Sequence, residues 1–139
     1  MEFGTSVVVA APVGLVWSVY ADVERWPSWT ASVTSVELLT PGPLALGSRA
    51  RVKQPRLPTT VWRVVELDQG RSWTWEARGP GVLTTATHRV DPAEGGSLVT
   101  LGLVQAGWLG GLVGRFTAGL TDRYLALEAE GLKARAESR

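Results

Sequence analysis

The sequence predicts an α+β fold: a seven-stranded, curved antiparallel sheet packed on one long carboxy-terminal helix, with two short helices between strands 1 and 2. Three observations carry this reading. A β-branched opening run is followed by Pro12 at the first position of a helical stretch. Between residues 31 and 106, six short β-branched or alternating runs are separated by tracts rich in Gly, Pro and Asp. After Gly107 the apolar spacing turns helical.

In order, residues 3–10 (FGTSVVVA) read as the first strand. In the stretch PVGLVWSVYADV that follows, Val13, Val16, Trp17 and Tyr20 recur at three- and four-residue spacing, the mark of one buried helix face. Pro27 must end or kink any helix through Trp26. The segment ERWPSW thus closes the helical pair. The six later strands are residues 32–39, 48–54, 59–67, 72–78, 82–90 and 97–105. Their connections are too short for parallel crossovers, so neighbours run antiparallel.

The last helix carries an apolar stripe of Val113, Phe116, Leu120, Tyr124 and Leu127, with Arg115, Asp122, Arg123, Glu128 and Glu130 elsewhere around the wheel. Gly110, Gly111, Gly114 and Gly119 each weaken the helix by roughly 1 kcal/mol relative to alanine. That end is therefore loose, bent or very closely packed. A strongly twisted sheet curls, and side chains alone do not fill the concave side of a curled sheet gripping one helix. A cavity is expected.

At 139 residues, with 45% hydrophobic and 19% charged residues, the chain reads as a single globular domain, residues 1–139, with one core. Fourteen basic and thirteen acidic residues leave a net charge of +1, and no two Lys or Arg are adjacent, which argues against a nucleic-acid partner. The absence of cysteine removes disulfides, thiolate metal sites and cysteine nucleophiles, and His88 is the only histidine, so no metal site is expected. Residues 7–17 are too short and too interrupted to span a membrane. The amino terminus lacks the positive region of a signal peptide, and a cytoplasmic location is expected. The glycines of LGGLVG do not follow a strand of a βαβ unit and lack the Lys-Ser/Thr ending of a phosphate loop, and no Gly-x-Ser-x-Gly elbow occurs. No cofactor is expected.

The order APVGLVWSVYADVERWPSW, VELLTPGPLALGSRARVKQP, VWRVVELDQGRSWTWEARGPG, ATHRVDPAEGGSLVTL and LTDRYLALEAEGLKARAE resembles bacterial members of the START-related superfamily, in the polyketide cyclase/dehydrase-like (SRPBCC) branch. The resemblance covers nearly the whole chain. Its most specific residues are Pro12, Trp17, Asp22, Trp26 and Trp29 at their mutual spacing, with Gly96-Ser97 in support. It implies a helix-grip fold, in which the sheet wraps the last helix around an apolar ligand cavity. It does not imply one reaction, since the family ranges from lipid and hormone carriers to aromatase/cyclases.

Within that fold ERWPSW becomes the second short helix and its exit, with Trp26 and Trp29 near one mouth of the cavity or as plain corner packing. Alternation puts Trp73, Trp75 and Ala77 on one face of their strand, as an indole wall for an apolar or aromatic ligand or as plain core filling. It groups Thr84, Ala86, His88 and Val90, which points His88 inward as the candidate acid/base able to titrate near neutral pH. Gln54 and Gln105 become interior hydrogen-bonding groups, Gln105 on the face of Val99, Leu101 and Leu103, while Arg49, Arg51 and Lys53 form a solvated outer face. The candidate ligand-binding set is Trp26, Trp29, Gln54, Trp73, Trp75, His88, Leu101, Phe116, Leu120 and Tyr124, with the glycine-bearing start of the last helix as portal. The leading functional reading is binding of a small hydrophobic, lipid- or polyketide-like molecule. The alternative is a polyketide cyclase/dehydrase-type enzyme using His88. A regulator without ligand, or a homodimer whose contacts cover the mouth, is a third.

Overall fold

A computed structural model describes residues 1–139. In chain order it contains β1 (Glu2–Val9), α1 (Val13–Tyr20), a 3-10 helix (Val23–Ser28), β2 (Ser35–Leu38), β3 (Arg49–Lys53), β4 (Thr60–Asp68), β5 (Ser72–Gly79), β6 (Val82–Ala93), β7 (Gly96–Ala106) and α2 (Gly110–Glu137). The seven strands form one sheet in the order β1-β7-β6-β5-β4-β3-β2, with every neighbouring pair antiparallel. This is the helix-grip architecture. Pro12 precedes α1 with φ −68°, the value its ring imposes, and the chain turns into the helix there. Pro27 lies inside the 3-10 helix, which ends one residue later.

Two local features shape the sheet. The register shifts between Val64 and Glu66, so an extra residue of β4 bulges and strengthens the local twist. The β6–β7 hairpin is long and tight. The tract DPAEGG reads as a turn, yet the strands continue through Asp91, Pro92 and Ala93, and only Glu94 and Gly95 form the loop. Gly95 takes φ +80°, which lets a two-residue turn do the whole reversal.

Pleat alternation sorts the strands as expected: Trp73, Trp75 and Ala77, and likewise Ala86, His88 and Val90, are buried on the concave side. Around them, Trp17, Tyr20, Trp26 and Trp75 join the core. The imidazole of His88 stacks on Trp73 at 4.1 Å between ring centroids. Tyr20 meets Trp26, Trp73 and His88 with centroids between 5.0 and 5.6 Å.

At 28 residues α2 is about 42 Å long. Its second half buries Ala129, Leu132 and Ala136, and Glu137 accepts hydrogen bonds from the Ala10 amide at 2.8 Å and from Lys133. Gly131 has a steric reason: a Cβ there would lie 2.0 Å from the Trp29 carbonyl oxygen, so only glycine lets α2 press onto the exit of the 3-10 helix. At the other end, Gly110 and Gly114 are buried against Gln105 and Met1, so of the three states open to that end these two residues adopt close packing.

The face that α2 turns inward differs from the predicted stripe. It runs through Val113, Thr117, Thr121, Tyr124, Leu125 and Glu128, while Phe116 is 84% exposed beside exposed Leu112 and Trp108. The reason is physical. Thr117, Thr121 and Glu128 face a cavity rather than packed core, so the inward side carries polar residues that apolar periodicity cannot detect.

Candidate ligand cavity

A cavity of about 600 Å³ lies between the concave face of the sheet and α2. Its inner end is walled by Trp26, Val33, Val52, Trp75, His88 and Glu128, all buried. Its outer end opens among Pro58, Thr59, Val61, Arg78 and Gly79, all exposed. The void follows from the fold: β3 to β5 curve away from α2, whose first half presents Val113 and two threonines where bulky side chains would be needed to fill the gap.

Five of the ten candidate residues line the cavity: Trp26, Gln54, Trp75, His88 and Tyr124. The other five do not. Trp73 is 0% exposed and lies behind His88, and Leu101, which pairs with His88 from β7, is sealed in the core. Trp29 packs against Tyr20 and Trp26 and touches Gly131. Leu120 is half-buried on a flank of α2, and Phe116 points outward. The two indoles of WPSW therefore divide their work. Trp26 donates its Nε1–H to the Tyr20 carbonyl at 2.8 Å and faces the inner end, not the mouth, while Trp29 clamps the last helix.

The polar groups of the inner end form a small cluster. His88 Nδ1 lies 3.3 Å from the Trp73 carbonyl, an acceptor, so the proton belongs on Nδ1 and Nε2 is left as an acceptor. Burial pushes the imidazole pKa down to about 3 against a weak opposing pull from that carbonyl. His88 is thus neutral throughout the neutral range, which corrects the expectation that it titrates there. The group that does is Glu128, which apolar periodicity places only on the polar part of the last helix. Its Oε2 accepts a 2.5 Å hydrogen bond from the Tyr20 hydroxyl, and burial pushes its pKa up to about 7 despite that bond. Burial, and the carboxylate beside it, raise the Tyr20 hydroxyl well above its ordinary value. One sequence signal points to Glu128: it lies four residues after Tyr124, hence on the same side of the helix. Thr84 and Leu103, grouped by alternation with His88 and Gln105, also line the cavity, as does Trp62, which the sequence did not single out. Farther out, Gln54 Nε2 donates to the Ser32 carbonyl at 3.2 Å and the Tyr124 hydroxyl donates to the Pro55 carbonyl.

The two buried titrating groups act on stability with opposite signs. For His88, lowered from 6.5 to about 3, the stability of the neutral ring is present above pH 6.5 and is lost as pH falls toward 3. For Glu128, raised from 4.5 to about 7, the contribution is full below pH 4.5 and is lost as pH rises toward 7. Glu128→Gln removes only the second. Urea unfolding of both proteins from pH 4.5 to pH 8 is expected to show the variant gaining on the wild type by on the order of 3 kcal/mol, at about 1.4 kcal/mol per pH unit between the two pKa values. A difference independent of pH contradicts the upward shift that burial imposes on the Glu128 carboxyl.

Comparison with known proteins gives the same picture. Residues 1–137 match the family described as polyketide cyclase / dehydrase and lipid transport. A proposed polyketide cyclase from Streptomyces halstedii is 33% identical over 88 residues, covering 61% of this chain and 70% of that protein. A crystal structure from Thermus thermophilus superposes with a TM-score of 0.78 at 19% identity, covering 99% of this chain and 98% of its own. A START superfamily protein from Mycobacterium smegmatis superposes with a TM-score of 0.75, also at 19% identity, over 99% of this chain and 97% of its own. The structural likenesses establish the fold, and the match across residues 1–137 establishes the lineage: this chain belongs to the polyketide cyclase / dehydrase and lipid transport family.

Proposed function

We propose that this single domain binds a small hydrophobic or aromatic, lipid- or polyketide-like molecule in the cavity between the sheet and α2. The observation that carries the reading is the cavity itself. A volume of about 600 Å³ is in the range of small-molecule sites, and its inner walls are the indoles of Trp26 and Trp75 with aliphatic Val33 and Val52. Removing apolar ligand surface from water contributes roughly 25 cal/mol per Å², from which ordering terms subtract. Gln54, His88 and Tyr124 orient the ligand, and Trp29, Trp73, Leu101 and Leu120 hold the wall from behind. The ligand enters through the outer end, among Pro58, Thr59, Val61, Arg78 and Gly79, rather than past the glycine-bearing start of α2, where Gly110 and Gly114 are packed against Gln105 and Met1. Cytoplasmic placement and the lack of a nucleic-acid partner belong to the same proposal, the latter drawing support from the balanced charge. No helix is long and apolar enough to cross a membrane.

The second reading, a cyclase/dehydrase-type enzyme, has one observation in its favour: the relative from Streptomyces halstedii is a proposed polyketide cyclase. Proton transfer near neutral pH would then fall to Glu128 rather than His88, because only the former changes charge there.

Titration of the protein with 1-methylpyrene, followed by quenching of tryptophan emission, is expected to saturate at one probe per chain. Failure of methylpyrene, fatty-acid and sterol probes alike to saturate contradicts the binding reading.

A further inference from the structure

The inner end of the cavity has an unbalanced set of hydrogen-bonding groups. At the inner end the Tyr20 hydroxyl is engaged on Glu128, and farther out Gln54 Nε2 is engaged on the Ser32 carbonyl, the Tyr124 hydroxyl on the Pro55 carbonyl and the Thr117 hydroxyl on the Val113 carbonyl; the Trp75 indole N–H, which makes no protein hydrogen bond, is the one free donor of the inner wall. The acceptors are left over. Glu128 uses Oε2 for Tyr20 and makes no protein hydrogen bond through Oε1, and His88 uses Nδ1 for Trp73 and makes none through Nε2. Neither of these free atoms is sealed from the cavity, unlike the indole nitrogens of Trp29 and Trp73 and the Gln105 side-chain oxygen, which are closed off without partners. Both residues meet at Tyr20, whose ring lies 5.4 Å from the imidazole and whose hydroxyl holds the carboxyl.

Resting on the ligand-binding reading above, we propose that Glu128 and His88 form an acceptor site at the inner end of the cavity that recognises a hydroxyl group. The ligand class is then an uncharged hydroxylated polycycle or hydroxyaromatic compound, inserted hydroxyl first, rather than a fatty acid. A buried acceptor left unpaired in an apolar pocket is unfavourable, and a ligand hydroxyl satisfies it without bringing in a charge. A ligand carboxylate finds no cation there. The only Lys or Arg on the lining is Arg78, which lies at the mouth with its side chain 75% exposed and 3.6 Å from Glu76. The groups facing Glu128 from the packed elements are Tyr20 of α1 and His88 of β6, neither of them cationic at neutral pH. Free threonine hydroxyls at Thr84 and Thr121 take either role and leave the balance unchanged.

The test compares three probes that differ at one substituent, 1-methylpyrene, 1-pyrenemethanol and 1-pyrenecarboxylate, against the full chain at about pH 8, where Glu128 is mostly ionised. Wild type is expected to bind the alcohol about tenfold more tightly than the methyl compound, the scale of one hydrogen bond to a charged acceptor, and the carboxylate more weakly than either. Glu128→Gln replaces the charged acceptor by a neutral amide whose N–H can only donate to the alcohol oxygen, and is expected to reduce the preference for the alcohol severalfold. A second readout needs no variant: the wild-type preference shrinks as pH is lowered to about 5.5 and Glu128 takes up its proton. Equal affinity of wild type for alcohol and methyl compound, or a preference left undiminished by both Glu128→Gln and acidification, overturns the acceptor site while leaving the cavity reading intact. Absence of binding by all three probes overturns both.

Discussion

Replacing Trp73 by alanine is expected to destabilise the protein by about 3–5 kcal/mol. Its indole is fully buried, stacked on His88 at 4.1 Å and within 6.2 Å, centroid to centroid, of Trp17, Tyr20, Trp26 and Trp75. Removing it leaves a hole at the point where sheet, α1 and the 3-10 helix meet. Urea unfolding checks the figure, with the thermal midpoint falling by roughly 10–20 °C. Trp75→Ala is the comparison. That side chain borders the cavity, so its truncation enlarges a void that already exists and removes fewer contacts. Equal losses for the two variants would contradict the assignment of Trp73 to the core and Trp75 to the cavity wall.

The second large effect has a sign that helix propensity alone gets wrong. In a helix interior, glycine to alanine stabilises by up to about 1 kcal/mol. Gly119→Ala is expected to follow that rule, because no atom lies within 4 Å of the position its Cβ would take. Gly131→Ala is expected to destabilise by about 2–4 kcal/mol. The new methyl would sit 2.0 Å from the Trp29 carbonyl oxygen, a backbone atom that cannot rotate away. Relief requires α2 to lift from the 3-10 helix, loosening Ala129, Leu132 and Ala136. Thermal denaturation of the pair checks both signs, and stabilisation by both would contradict the close approach of α2 to Trp29.

The fold was legible in the sequence because its determinants are local. Turn tracts separate the strands, Pro12 and Pro27 punctuate the helices, and period-two alternation selects the face that carries Trp73, Trp75 and His88. The cavity was legible only in part. Alternation says which residues face inward, but not whether they meet packed core or empty space, a matter of distances between β5, β6 and α2. Trp73 and Trp75 are equivalent by pattern and differ in structure for that reason. The stripe on α2 failed at Phe116 because the rule assumes that inward means apolar, whereas Thr117, Thr121 and Glu128 border a void. Glu128 was hidden for the same reason. Its meaning depends on Tyr20, 108 positions away in sequence, and only the folded chain brings the two together.

The account rests on an accessible void enclosed by sheet and helix. Thr84 faces it from β6, half-buried and opposite Ala77 on β5. A tryptophan at position 84 would enter empty space and occupy it. The decisive measurement is therefore the methylpyrene titration of Thr84→Trp beside wild type, with folding confirmed by the thermal midpoint. The account predicts saturable binding to wild type and none to a folded Thr84→Trp. Undiminished binding to the filled variant, or no saturation with wild type, would contradict it.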